Sequence, residues 1–239
     1  MFELESEMIA PLTESLPRLL IPEGPYVVAC EVPDGARVID IICASMPDSR
    51  DMAQAEGVAN KLSRLSMAQT MVLALIWREK KVSASRLSAM TYVGLDELRE
   101  GYLEPFCRAG LVDQEGRSWV VGSWGEARPG HLIAVEAKLT DWREAIWQAK
   151  DNRGRADYSY VALPKVSRRR TREELIKSAR EQGVGVVELH PRGEAEIVLK
   201  ARKTPSDVCI QKWQLAVRLL ADSSRTNSRW TLIEGSAGA

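Results

Sequence analysis

The sequence predicts an α/β fold, a mixed β-sheet flanked by helices, with a mostly helical segment inserted between its second and third strands. Three observations predict it. Apolar runs of strand length at 26–32, 37–44, 131–139, 157–163 and 184–189 are joined in the second half by helical patterns at 141–150 and 171–181, the order that lays helices against a sheet. The second and third of these strands are separated by residues 50–128, far more than the ~2–5 residues of a hairpin connection. That long segment has helical periodicity of its own and closes in a short alternating stretch. The expected organisation is therefore a discontinuous α/β core at 1–49 and 129–222, an inserted module at 50–128, and a flexible tail at 223–239.

Composition narrows the class. With 45% hydrophobic and 28% charged residues the chain matches ordinary globular proteins. There is no run of 18 apolar residues, so no membrane span is expected, and the acidic start Phe2-Glu3-Leu4-Glu5-Ser6-Glu7 lacks the basic opening of a secretory signal. Cys30, Cys43, Cys107 and Cys209 are scattered and only 2 histidines are present. This argues against a zinc knuckle or a disulfide framework, and for free thiols in a reducing compartment, the cytoplasm. Net charge is zero but uneven: residues 1–60 carry 3 Lys+Arg against 11 Asp+Glu, and residues 129–203 carry 16 against 11. Total charge predicts no strong nonspecific grip on nucleic acid but leaves room for a local basic face.

In order, Met8, Ile9, Leu12, Leu16 and Leu19 space a helix over 5–20, with Pro17 expected to kink or end it. Tyr26 to Val32 and Arg37 to Ala44 form a hairpin around Pro33-Asp34-Gly35. Within the insertion, Ser66 caps a helix to Glu79 whose expected stripe is Met67, Met71 and Leu75. Ser83 to Met90 is a second helix, and Leu95 to Ala109 a third that Gly110 ends. Leu111 to Val121 then turns back at Gly116 as a hairpin. After the strand 131–139 comes a helix from Asp141 to Lys150, with Trp142, Ala145, Ile146 and Ala149 on one stripe. A strand to Leu163 follows, then a helix from Thr171 to Glu181 with a Thr171/Glu174 capping box and Gly183 at its end. Strands at Val184 to Leu189 and Glu196 to Arg202 and a helix from Ser206 to Ala221 complete the chain.

Two anomalies stand out. Leu132-Ile133-Ala134-Val135-Glu136-Ala137-Lys138-Leu139 is largely apolar yet holds a carboxylate and an ammonium two residues apart, which a strand projects from one face. Asp40 likewise sits among Val38, Ile39, Ile41 and Ile42. Charges in buried strands are costly without a partner or a metal. Singly, the pair Glu136 and Lys138 reads first as an ion pair on a half-exposed strand, and Asp40 as a turn-proximal or hydrogen-bonded acid.

Together, an aspartate on the second core strand, E-x-K on the third and a glutamine on the helix that follows resemble the PD-(D/E)XK, or restriction-endonuclease-like, nuclease superfamily. The likeness covers roughly residues 5–50 and 130–200, and Ile39 stands where the pattern has proline. The insertion, three helices and then a hairpin, resembles a winged helix-turn-helix. The resemblance implies a Mg²⁺- or Mn²⁺-dependent nuclease cutting phosphodiester bonds, with DNA the expected substrate. In it Asp40, Glu136 and the Ala137 carbonyl hold metal, with Glu14 as an additional ligand. Lys138 positions or deprotonates the attacking water, and Gln148 orients that water or Lys138.

Basic residues extend the expected nucleic-acid contact: Lys165, Arg168, Arg169, Arg170 and Arg172 in one loop, with Arg143 and Arg153 near the glutamine helix. In the insertion the third helix carries Asp96, Glu97, Glu100 and Glu104 against Arg99 and Arg108, poor chemistry for reading bases. Contact there falls to Lys80, Lys81, Arg86 and Arg117, or the module binds a protein or a second copy. The competing expectations are a catalytically silent nuclease-like subunit and a winged-helix regulator.

Overall fold

The computed structural model describes residues 2–21, 26–34, 37–45, 61–62, 64–126, 130–204, 212, 215, 219 and 230–233. They fall into two units, the first within Met1–Met46, Pro129–Asp207 and Asn227–Ala239, the second within Pro47–Arg128 and Val208–Thr226.

The first unit is α/β. Helix α1 (Ser6–Leu20) is followed by β1 (Tyr26–Asp34) and β2 (Arg37–Ser45), and after the second unit by β6 (Leu132–Ala137). A helix (Trp142–Asn152), β7 (Tyr158–Pro164), a helix (Arg169–Gln182), β8 (Gly185–Leu189), β9 (Ala195–Leu199) and β10 (Trp230–Ile233) complete it. The sheet runs β10-β1-β2-β6-β7-β8-β9, with β6, β7 and β8 parallel and the other neighbours antiparallel. It is therefore mixed and flanked by helices. All six residues of β6 are buried, the expected state of a strand with a neighbour on each edge and a layer on each face. On one face Met8, Leu12 and Leu16 of α1 pack on Ile41, Cys43, Ile133, Val135 and Ala137. On the other, Trp142, Ala145, Ile146 and Ala149 pack on Val161 and Leu163 with Leu175 and Ala179.

The second unit contains α2 (Met67–Glu79), β3 (Lys81–Ser83), α3 (Ala84–Thr91), α4 (Leu95–Leu98), a π-helical turn (Arg99–Leu103), α5 (Glu104–Arg108), β4 (Val112–Glu115) and β5 (Ser118–Val121). Its three strands are ordered β3-β5-β4. Gly116 turns the hairpin at φ 64° and Gly110 leaves the helical run at φ 70°, a conformation open to glycine without strain. Ser66 accepts from the Gln69 N–H while the Gln69 side chain accepts from the Ser66 N–H, a complete capping box. Ser66→Ala should cost about 1 kcal/mol, read as a lowered midpoint in urea denaturation of the second unit.

Several expectations are corrected. Pro17 does not end the first helix, which runs to Leu20 and also contains Pro11. The stripe expected at Met67, Met71 and Leu75 is not the buried one: Met67 is exposed, and Val72, Leu73 and Ile76 form the core. The helix expected from Thr171 begins at Arg169, with Arg168 as its N-cap and no side-chain cap, so the Thr171/Glu174 box does not form. The final helix lies largely outside the described residues. Leu215 and Leu219 are helical and buried and belong with the second unit, not the α/β core expected to reach residue 222. Within the expected tail, Trp230–Ile233 pairs with β1 as the sheet's edge strand. The turn at residues 35–36 lies outside the described residues.

Candidate functional site

The register that pairs Ile41 with Val135 and Ile42 with Ala134 carries Asp40 to the position opposite Glu136. Alternation turns both side chains away from the face that α1 covers. The two carboxyls come within hydrogen-bonding reach of each other. Asp40 Oδ2 also accepts from the Ala137 N–H at 2.8 Å, and Glu136 Oε1 accepts from Asn152 Nδ2 at 2.6 Å.

The electrostatics follow from this crowding. Burial, then the neighbouring Asp40 charge, pushes the Glu136 carboxyl up to about 8, against the Asn152 hydrogen bond that favours its anion. Burial also raises Asp40, although the Ala137 N–H and the Lys138 charge pull the other way. The pair therefore holds a shared proton near neutrality, as like charges in one low-dielectric site must. Lys138 sits one residue past β6, with Nζ 3.5 Å from Glu5 Oε2. Burial alone would lower it, but the carboxylates of Glu5, Glu144 and Asp40 together raise it and hold the ammonium form.

The helix Trp142–Asn152 starts directly after the strand because Asp141 accepts from the Glu144 N–H at 3.0 Å as its N-cap. This early start places Gln148 and Asn152, one turn apart on one side of the helix, against Glu136. Gln148 Nε2 donates to Glu144 Oε1 at 3.3 Å, while its Oε1 is buried with no hydrogen-bond partner among the described residues. Glu136, Gln148 and Asn152 line a cavity of about 240 Å³ together with Arg37, Val38 and Trp147.

Thus the structure brings together Asp40, Glu136, Ala137, Lys138 and Gln148. It does not bring Glu14, which is exposed on a helix packed against the opposite face of the sheet. The acid that α1 does present is Glu5 at its N-cap, bonded to Lys138 and to the Leu139 N–H. Asn152 is the other residue that sequence reasoning passed over. Its signal was legible: a polar side chain continuing the stripe of Trp142, Ala145 and Ala149.

The expected basic contacts divide. Lys165 and Arg168 are exposed. Arg169 and Arg170 open the helix Arg169–Gln182 instead of lying in a loop, and pair with Glu173 and Glu174. Arg172 is bound to Glu188, which is 1% exposed. Arg153 donates to the Gln182 carbonyl, and Arg143 lies over Trp142 and reaches Glu174. In the second unit Lys81 pairs with Glu115 and Arg86 with Glu79. Lys80 is exposed, as is Arg117, which lines a groove of about 530 Å³ with Arg99, Gln114 and Trp119.

Among the described residues no group of three or more His, Cys, Asp or Glu is arranged to hold a metal ion, and no helix is long and apolar enough to cross a membrane. Comparison with protein-family models, with curated proteins and with solved structures finds no match to this chain.

Proposed function

We propose that this protein is a divalent-metal-dependent nuclease of the PD-(D/E)XK kind, hydrolysing phosphodiester bonds with DNA as the expected substrate. The observation that carries the reading is the direct contact of Asp40 with Glu136 on neighbouring strands, within the field of the Lys138 ammonium. The donors fit Mg²⁺ or Mn²⁺: Mg²⁺ is commonly held by one or two carboxylates and completes its shell with water and substrate phosphate. A pair of carboxyls forced to share a proton gains most from a cation that replaces it. Asp40, Glu136 and the Ala137 carbonyl would hold the ion. Bound there, it would supply an activated water and positive charge opposite the phosphate.

The remaining steps fall to the chain's own side chains. Lys138, kept charged by Glu5, Glu144 and Asp40, sets positive charge against the phosphate oxygens, where charge builds in the transition state. Asn152 fixes the orientation of the Glu136 carboxyl, as outer partners of metal ligands do.

For the second unit the order helix, strand, helix, a continuous helical run over Leu95–Arg108, and two strands, with sheet order β3-β5-β4, supports a winged helix-turn-helix. Its exposed Asp96, Glu97, Glu100 and Glu104 favour contact through the hairpin residue Arg117, or through a partner protein, over base reading by the helical run. The catalytically silent alternative is favoured by one observation, that fewer than three acidic ligands converge among the described residues.

The deciding assay incubates the purified chain with plasmid, single-stranded, branched and RNA substrates in Mg²⁺, Mn²⁺ or EDTA. Cleavage should need metal and fall by at least about a hundredfold in Asp40→Asn and Lys138→Ala. Metal-independent cutting, or variants as fast as the parent, would overturn the reading.

A further inference from the structure

We infer that the cavity beside Glu136 receives a single unpaired nucleobase, so that the substrate is nucleic acid with a single-stranded or flipped base next to the bond that is cut. The inference rests on the nucleic-acid reading above and narrows its substrate class. It starts from Trp147, which lies off the buried stripe of its helix and is 57% exposed. A large apolar ring in water contributes nothing to the core. Beside it Val38 is 53% exposed. The Arg37 guanidinium stands 4.6 Å from the indole centroid, and Asp151 holds it there at 2.7 Å. An indole with a guanidinium against it is the composition of a stacking platform, because every base has a π-face to offer.

The cavity behind the ring has the matching size and polarity. At about 240 Å³ it is smaller than the ~300–1,000 Å³ of pockets for drug-sized ligands. It has room for one ring system. Its wall carries the Gln148 Oε1, buried and without a donor among the described residues, an atom that a ligand N–H would satisfy. The hydrogen-bonding edge of every base presents an N–H. Bases paired in a duplex have those donors engaged and their faces stacked, so a base reaches such a pocket only when unpaired or extruded. A protein partner is a poorer fit, since specific interfaces recruit about 20–30 residues a side, whereas this patch exposes two apolar side chains at the edge of an acidic site.

The test measures affinity of the full chain in EDTA, where cutting is off, for a labelled oligothymidylate and for a blunt duplex. Trp147→Ala should weaken the single strand by about tenfold or more, the effect of losing one base–aromatic stack. Trp147→Phe should retain most of the affinity, and the duplex should change by less than about twofold. A melting curve matching the parent's confirms that the fold is intact, as expected for so exposed a side chain. Unchanged single-strand affinity in both variants, or equal loss on single strand and duplex, would overturn the pocket. The two readings fail separately. A parent that cuts while Trp147→Ala binds normally removes the pocket and leaves the nuclease. A parent that never cuts while Trp147→Ala loses the single strand removes the nuclease and leaves the pocket.

Discussion

Glu136→Gln is expected to abolish metal-dependent cleavage and at the same time to make the fold more stable at alkaline pH. The two effects share one cause. Glu136 is 4% exposed and meets Asp40 on the facing strand, so the folded protein keeps its proton up to about pH 8, whereas the unfolded chain releases it near 4.5. Between those values the folded state binds more protons than the unfolded state, and stability must fall as pH rises. The contribution is complete below about 4.5 and lost once pH has passed about 8. Glutamine reproduces the protonated acid: its amide donates to Asp40 and its carbonyl accepts from Asn152. Because it does not titrate, the loss disappears. At about 1.4 kcal/mol for each pKa unit, the variant should exceed the parent by a few kcal/mol near pH 9 and match it near pH 4. Urea denaturation in EDTA across that range reads the difference. The same amide is a poor ligand for Mg²⁺, and losing several kcal/mol of charge stabilisation predicts a rate lower by about a thousandfold. A variant less stable than the parent at alkaline pH would mean that the two carboxyls do not meet.

What could be seen in advance follows from how local each feature is. The largely apolar run of β6 and the E-x-K at its end are visible because a strand's two faces are written in adjacent residues, and a charge there has no cheap explanation. The cap at Ser66 and the stripe of Trp142, Ala145, Ile146 and Ala149 are local for the same reason. The stripe of α2 is misread because Met67, Met71, Val72, Leu73, Leu75 and Ile76 place apolar residues on nearly every side, so periodicity alone cannot say which side is buried. That α1 brings Glu5 and not Glu14 to Lys138 is hidden from the sequence, because it depends on where the start of α1 lies against the sheet. That is set by a contact 133 residues apart along the chain. The strand Trp230–Ile233 is hidden in the same way: only its pairing with β1 distinguishes it from a tail.

Arg172 shows the same limit in the basic run, and its replacement is expected to have the largest effect on stability. As a sequence feature it is one cation of five between Lys165 and Arg172, a natural phosphate contact. In the structure its Nε and Nη2 grip Glu188 at 2.7 and 3.2 Å, and Glu188, 1% exposed on β8, faces Glu196 across the strand pair. Arg172→Met would leave that carboxylate buried without its cation, a loss of about 1–3 kcal/mol, less than for a fully buried pair because the guanidinium is itself 40% exposed. Adding Glu188→Leu removes the stranded charge and should restore most of it, since a well-packed apolar pair commonly replaces a buried ion pair without penalty. Urea denaturation of the single and double variants at neutral pH measures both terms. The double variant then separates structure from binding. If Arg172 serves Glu188 alone, the salt dependence of DNA affinity stays as in the parent. If it also neutralises a phosphate, the slope of log K against log salt becomes shallower by about one. The structural role predicts no change for Arg172 and a shallower slope for the exposed Arg168, so a drop confined to Arg172 would return it to the binding surface.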